Sequence, residues 1–141
     1  MPSVKVKTYN SREVVVAIGT HAVSGLADDS FLTISQVGNG IMSKFGCDGE
    51  VARAVDPNQS YQVQLTLLQT SDSSKYLQSL YDRDIESGDG IFPILIKDIK
   101  GGLVFSSENA WVTKQADRGY GKDTNNRQWT IQTANATLKD G

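Results

Sequence analysis

Three acidic residues spaced two apart, Asp82, Asp84 and Glu86, form the nearest thing in this chain to a metal-binding pattern. They take the first, third and fifth places of a calcium loop, in which oxygen ligands wrap a hard cation. The glycine such a loop needs next arrives one place late, at Gly88, and Pro93 stands where the closing acidic ligand belongs. The acids therefore read as the solvated end of a helix.

Other chemistry fails in similar ways. Gly119-Tyr120-Gly121-Lys122-Asp123-Thr124 has the flavour of a phosphate loop, but Ala116 replaces its leading glycine and a strand rather than a helix follows. His21 is the single histidine and Cys47 the single cysteine. A histidine-based zinc cage is thus impossible, and neither residue lies in a nucleophile turn. The 16 acidic residues offer carboxylate pairs for glycoside hydrolysis with nothing to single one out. Trp111 and Trp129 invite a sugar-stacking platform, although tryptophan at strand spacing more often serves core or interface. No catalytic, cofactor-binding or metal-ligating residue is expected, and no cofactor.

The elements that would hold these residues are mostly strands. Glu13–Ile18 is a short β-branched run, Gly19–Ser30 a long polar loop expected to serve contacts between subunits, and Phe31–Gln36 a second strand. Val37-Gly38-Asn39-Gly40 reverses the chain. Ile41–Phe45 and Glu50–Val55 pair across a turn containing Asp48-Gly49, and Asp56-Pro57-Asn58 closes the second of them. Tyr61–Gln69 alternates, with Tyr61, Val63, Leu65 and Leu67 on one face and Gln62, Gln64 and Thr66 on the other. Thr70, Ser71 or Asp72 caps a helix over about residues 72–84, with Tyr76, Leu77, Leu80 and Tyr81 along one stripe. Phe92–Asp98, Leu103–Ser106, Asn109–Gln115 and Arg127–Ala134 complete the strands. Their spacing predicts a mainly β protein, an antiparallel sandwich or barrel with one flanking helix.

At 141 residues the chain suits one domain, with loose arms expected at 1–12 and 135–141. Fourteen basic and 16 acidic residues leave a net charge of −2, too little positive charge for a grip on nucleic acid phosphates. One cysteine precludes an internal disulfide, and no apolar stretch has the length of a signal h-region or a membrane span, so synthesis in the cytoplasm and no membrane are expected.

The order of the pieces carries more than any one of them. Gly46-Cys-Asp48-Gly49-Glu-Val-Ala-Arg, the strand Tyr61–Gln69 ending in Thr70-Ser71, the helix with Tyr76-Leu77 and Leu80-Tyr81, and Phe92-Pro93-Ile-Leu-Ile-Lys-Asp98 together resemble the tail tube proteins of tailed bacteriophages, especially contractile-tailed ones. Asn109-Ala-Trp-Val-Thr-Lys114, a Gly-rich loop and the strand Arg127–Thr133 extend the resemblance over Glu13 to Ala134. It implies a structural virion protein made in the host bacterial cytoplasm. The implied assembly is a stack of hexameric rings whose lumen conducts the genome without binding it. The implied partners are further copies of the chain and the tail sheath, baseplate and terminator proteins. Tubes of type VI secretion systems and tail-like bacteriocins look similar; a carbohydrate-binding sandwich built on the tryptophans, or a small hydrolase, is the alternative of a different class.

On this reading the uncharged faces Gln62, Gln64, Thr66 and Gln128, Thr130, Gln132 are expected to look into the lumen. Ring and stacking contacts are expected at His21, Asp28, Asp29, Asn39, Asp48, Arg118 and Tyr120, which lie in or beside the long loops.

Overall fold

A computed structural model describes residues 13–27, 31–99, 101–122 and 125–140. The strands are β1 (Val14–Ile18), β2 (His21–Ala22), β3 (Leu32–Gln36), β4 (Ile41–Phe45), β5 (Val51–Val55) and β6 (Tyr61–Leu68). The helix α1 (Asp72–Ser87) precedes β7 (Phe92–Asp98), β8 (Leu103–Lys114), β9 (Asn126–Thr133) and β10 (Thr137–Asp140). All pairings are antiparallel. The main sheet runs β2-β1-β7-β8-β9-β6-β3, with β10 also on β8, and β4-β5 form a separate hairpin.

β8 organises the whole. Leu103–Ser106 and Asn109–Gln115, expected as two strands, fall on one strand, Leu103–Lys114, because β7 pairs across the gap, Ile94 opposite Ser107 and Phe92 opposite Ala110. The extra β8 residue is absorbed by a bulge, which reverses which alternate residues point inward: Phe105 and Ser107 before it, Ala110 and Val112 after it. A second register shift lies between Val112 and Lys114. Ser107 steadies the first bulge, donating to the Asn135 carbonyl and accepting from Asn109 N–H.

The early half of β8 pairs with β10, and the late half with β9. The two halves of the sheet close on one core. Val16, Ile18, Ile94, Ile96 and Phe105 from one half join Val63, Leu65, Leu67, Val112, Trp129 and Ile131 from the other, and Leu77 and Leu80 of α1 complete the cluster. Tyr61 meets Phe105 edge-on across it at 5.5 Å. The fold is the expected mainly β sandwich with one helix.

The helix forms where the apolar stripe predicts, and Ser71 is its cap, the side chain accepting from Ser73 N–H. It runs to Ser87, three residues beyond the expected end. It stops at Gly88, whose φ of 71° is the left-handed turn that frees its N–H to bond Asp84 O. The C-terminal segment expected to be loose contains β10, with Leu138 opposite Phe105 and Ala136 packed on the core; backbone pairing holds it. The arm at 1–12 lies outside the described residues.

Candidate functional site: two surfaces of the sandwich

The lumen expectation named six residues on two strands far apart in sequence. β6 and β9 are neighbours, with Gln62 opposite Gln132, Gln64 opposite Thr130 and Thr66 opposite Gln128. The ladders extend the rows outward. Ser35, Gln62, Gln132 and Trp111 form one row across four strands, and Thr33, Gln64, Thr130 and Lys114 form the next. The result is a surface mostly of amides and hydroxyls, with Trp111 and Lys114 on its β8 border and Asp117 beside Lys114, Gln128 and Thr130. Gln128 Nε2 donates to Gln64 Oε1 at 3.5 Å, a long bond that leaves both amides available. The opposite side of these strands packs on the core, buried at Val63, Leu65, Leu67, Val112, Trp129 and Ile131 and partly buried at Leu32 and Ile34, so this face looks outward.

Both borders of this four-stranded face are open among the described strands. β3 has β6 on one side and no strand on the other, and β8 beyond Ala110 has β9 alone. Unpaired edges of this kind are templates for another chain.

The β4-β5 hairpin is the second surface. Every residue in both strands is exposed. Ile41 opposite Val55, Ser43 opposite Arg53 and Phe45 opposite Val51 share one face, which is apolar apart from its middle pair. Phe45 is 73% exposed and Val55 70%. Nothing in the described body covers this face. The sequence places a hairpin here, but alternation alone does not say whether its apolar side meets core or solvent, so this surface was not legible in advance.

The expected contact residues divide. Asn39 and Asp48 lie on the exposed hairpin and its elbow, Asn39 N–H donating to Asp56 Oδ2 at 2.8 Å and Asp48 Oδ1 accepting from Glu50 N–H at 3.1 Å. Tyr120 is 77% exposed, its hydroxyl 3.4 Å from Arg127 Nη2. Arg118 is engaged within the subunit: its guanidinium donates to Gln78 Oε1 and to Ala116 O, 6.0 Å from the centre of the Trp129 ring. His21 also turns inward, Nε2 lying 2.9 Å from Ser73 Oγ and its ring stacked on Tyr76 at 4.5 Å. Asp28 and Asp29 lie outside the described residues.

The described part of the long loop that holds His21, up to Ala27, is likewise docked on its own subunit. His21–Ala22 pair with β1, Leu26 bridges Leu67, Ser73 Oγ accepts from Ser24 N–H, and Ser71 Oγ donates to Ser24 O. The patterns that suggested chemistry do not assemble a site. On the continuous helix Asp84 points away from Asp82 and Glu86, which lie one turn apart on one face, and no metal-holding cluster exists among the described residues. Trp129 is fully buried while Trp111 is on the opposite face of the sheet, so they make no platform. Cys47 is exposed at the hairpin turn. No described helix is long and apolar enough to cross a membrane.

This architecture is shared with chains of contractile injection and gene-transfer particles. A chain of the virion of a native gene transfer agent aligns with TM-score 0.65 at 10% identity, covering 95% of this chain and 99% of that one. A chain of the extended sheath-tube complex of an extracellular contractile injection system aligns with TM-score 0.59 at 14% identity, covering 95% and 93%. In sequence, a structural protein of Pseudomonas phage KPP10 is 28% identical over 145 residues, spanning 97% of this chain and 84% of that protein. The chain belongs to the bacteriophage PhiTE tail tube protein family, which matches residues 12–141. It is a phage tail tube structural protein, as the resemblance implied.

Proposed function

We propose that this subunit closes into hexameric rings that stack into a tube, and that the tube conducts the phage genome during ejection. The observation that carries the reading is the four-stranded face, mostly amide and hydroxyl, bounded by two open edges. If the β3 edge of one copy pairs with the late β8 edge of the next, the contact is head-to-tail and the face becomes the continuous inner wall of a ring. An amide and hydroxyl wall of low charge lets a phosphate backbone slide past, since strong retention requires clustered cations.

The apolar hairpin supplies the second contact, between rings. A contractile sheath, a baseplate and a terminator are the further partners, and no catalysis is involved. The likeness to a sheath-tube complex supports the sheath; the particle would be the virion tail, its subunits made in the host cytoplasm. Negative-stain microscopy and sedimentation of the purified protein test this reading. Rings or tubes with a central hole are expected; a monomer persisting at high concentration would sink it. A tube carrying protein cargo in place of DNA would identify a secretion or bacteriocin tube instead.

A further inference from the structure

The hairpin leaves the sandwich through an elbow. The β3-β6 ladder ends at Gln36 opposite Tyr61, and the β4-β5 ladder begins at Ile41 opposite Val55. Between them the two crossing segments touch closely: Val37 N–H donates to Ser60 O at 3.0 Å and Asp56 N–H to Gly40 O at 2.7 Å. Gly38 is pressed against the other segment, where an added Cβ would lie 2.2 Å from Asn58 O.

One side chain joins both segments. Asp56 Oδ2 accepts from Asn39 N–H at 2.8 Å on the outgoing segment, and Oδ1 accepts from Asn58 N–H at 3.0 Å on the returning one. Asn58 Oδ1 in turn accepts from Ser60 N–H and Ser60 Oγ at 3.1 and 2.6 Å. We propose that Asp56 is a positioning residue for assembly, its carboxylate clamping the elbow so that the hairpin is held at the angle at which it meets a second copy. This rests on the hairpin being the contact between rings.

The physical need is clear. A lone two-stranded hairpin is marginal in water, and this one gains no support from the body. Left to swing at its root, it would lose orientational freedom on every docking event, and fixing it beforehand removes that cost from association. Bonds from N–H groups to a carboxylate are the strong kind, and Asp56 spends both oxygens on opposite sides of the hinge.

Asp56→Asn tests this with little change in shape, because the amide keeps one acceptor and turns an NH2 group toward the other N–H. Spin labels on the native Cys47 at the hairpin tip and on Glu86→Cys on α1 report the hairpin's angle in the free subunit. The distance distribution is expected to be narrow with Asp56 and broad with Asn, at unchanged far-ultraviolet circular dichroism. The concentration needed for tube formation, read on unlabelled protein, should rise about tenfold, the equivalent of one such bond. Asp56→Ser must reproduce both effects. Equal distributions and equal assembly for wild type and Asp56→Asn would overturn the clamp alone. Absence of tubes from the unsubstituted protein would overturn the assembly reading, and the clamp's role with it.

Discussion

The indole Nε1 of Trp129 donates to Ser74 Oγ at 3.3 Å, joining the middle of β9 to the first turn of α1. Trp129 is fully buried and Ser74 nearly so. Ser74→Ala therefore leaves an indole N–H stranded in the core, at a cost of about 1–3 kcal/mol. Urea unfolding followed by tryptophan fluorescence should show a lower midpoint with an unchanged slope. An unaltered midpoint would mean that the bond contributes nothing to stability.

The apolar hairpin face predicts a separation of folding from assembly. Phe45→Ser and Val55→Ser alter exposed side chains with no partner in the body, so each should change unfolding free energy by no more than about 0.5 kcal/mol. Tube formation by the same proteins should fail when viewed by negative stain. Normal tubes from the double variant would remove the hairpin from the stacking contact.

The amide face predicts an effect on transport alone. Gln64 and Gln132 sit in adjacent rows of that face, and Gln64→Lys with Gln132→Lys adds two positive charges per subunit to the proposed wall. Assembly should survive. Genome release from particles carrying the pair should slow, most at low ionic strength, where phosphate attraction is least screened. Release at the wild-type rate would place this face somewhere other than the lumen.

The elbow predicts a dependence on acid. N–H bonds from Asn39 and then Asn58 hold the Asp56 carboxylate below its ordinary value of 3.8, with a small opposing contribution from desolvation. A depressed folded value means that the clamp is fully present above pH 3.8 and is lost as pH falls through the lower folded value. Spin-label distances between hairpin and helix should stay narrow down to that region and broaden below it. Broadening near neutral pH would assign control of the elbow to another group.

Much of the sandwich was legible because its strands alternate cleanly. Val63, Leu65 and Leu67 against Gln62, Gln64 and Thr66 define a half-buried strand without further help, and the apolar stripe places the helix, with its cap among Thr70, Ser71 and Asp72 and its end three residues short of Ser87. The Ser107-Glu108 break misled, since a bulge preserves pairing while inverting the alternation on which a strand is recognised. His21 and Arg118 look like surface contacts in a polar loop, yet their partners Ser73 and Gln78 are 52 and 40 residues away, a distance that local pattern does not cross. The joining of the two glutamine-bearing strands into one face depended likewise on β6 pairing with β9.

β8 belongs to both halves of the sheet, with β10 and β9 following one another along it and β7 spanning its first bulge. No flexible connection separates the half that carries the glutamine face from the half built on β1 and β7. A load applied along this strand is therefore borne by backbone ladders on both sides, and one half cannot pivot freely on the other. In the proposed tube each subunit would act as a stiff brick, and the compliance of the column would reside in the joints between them.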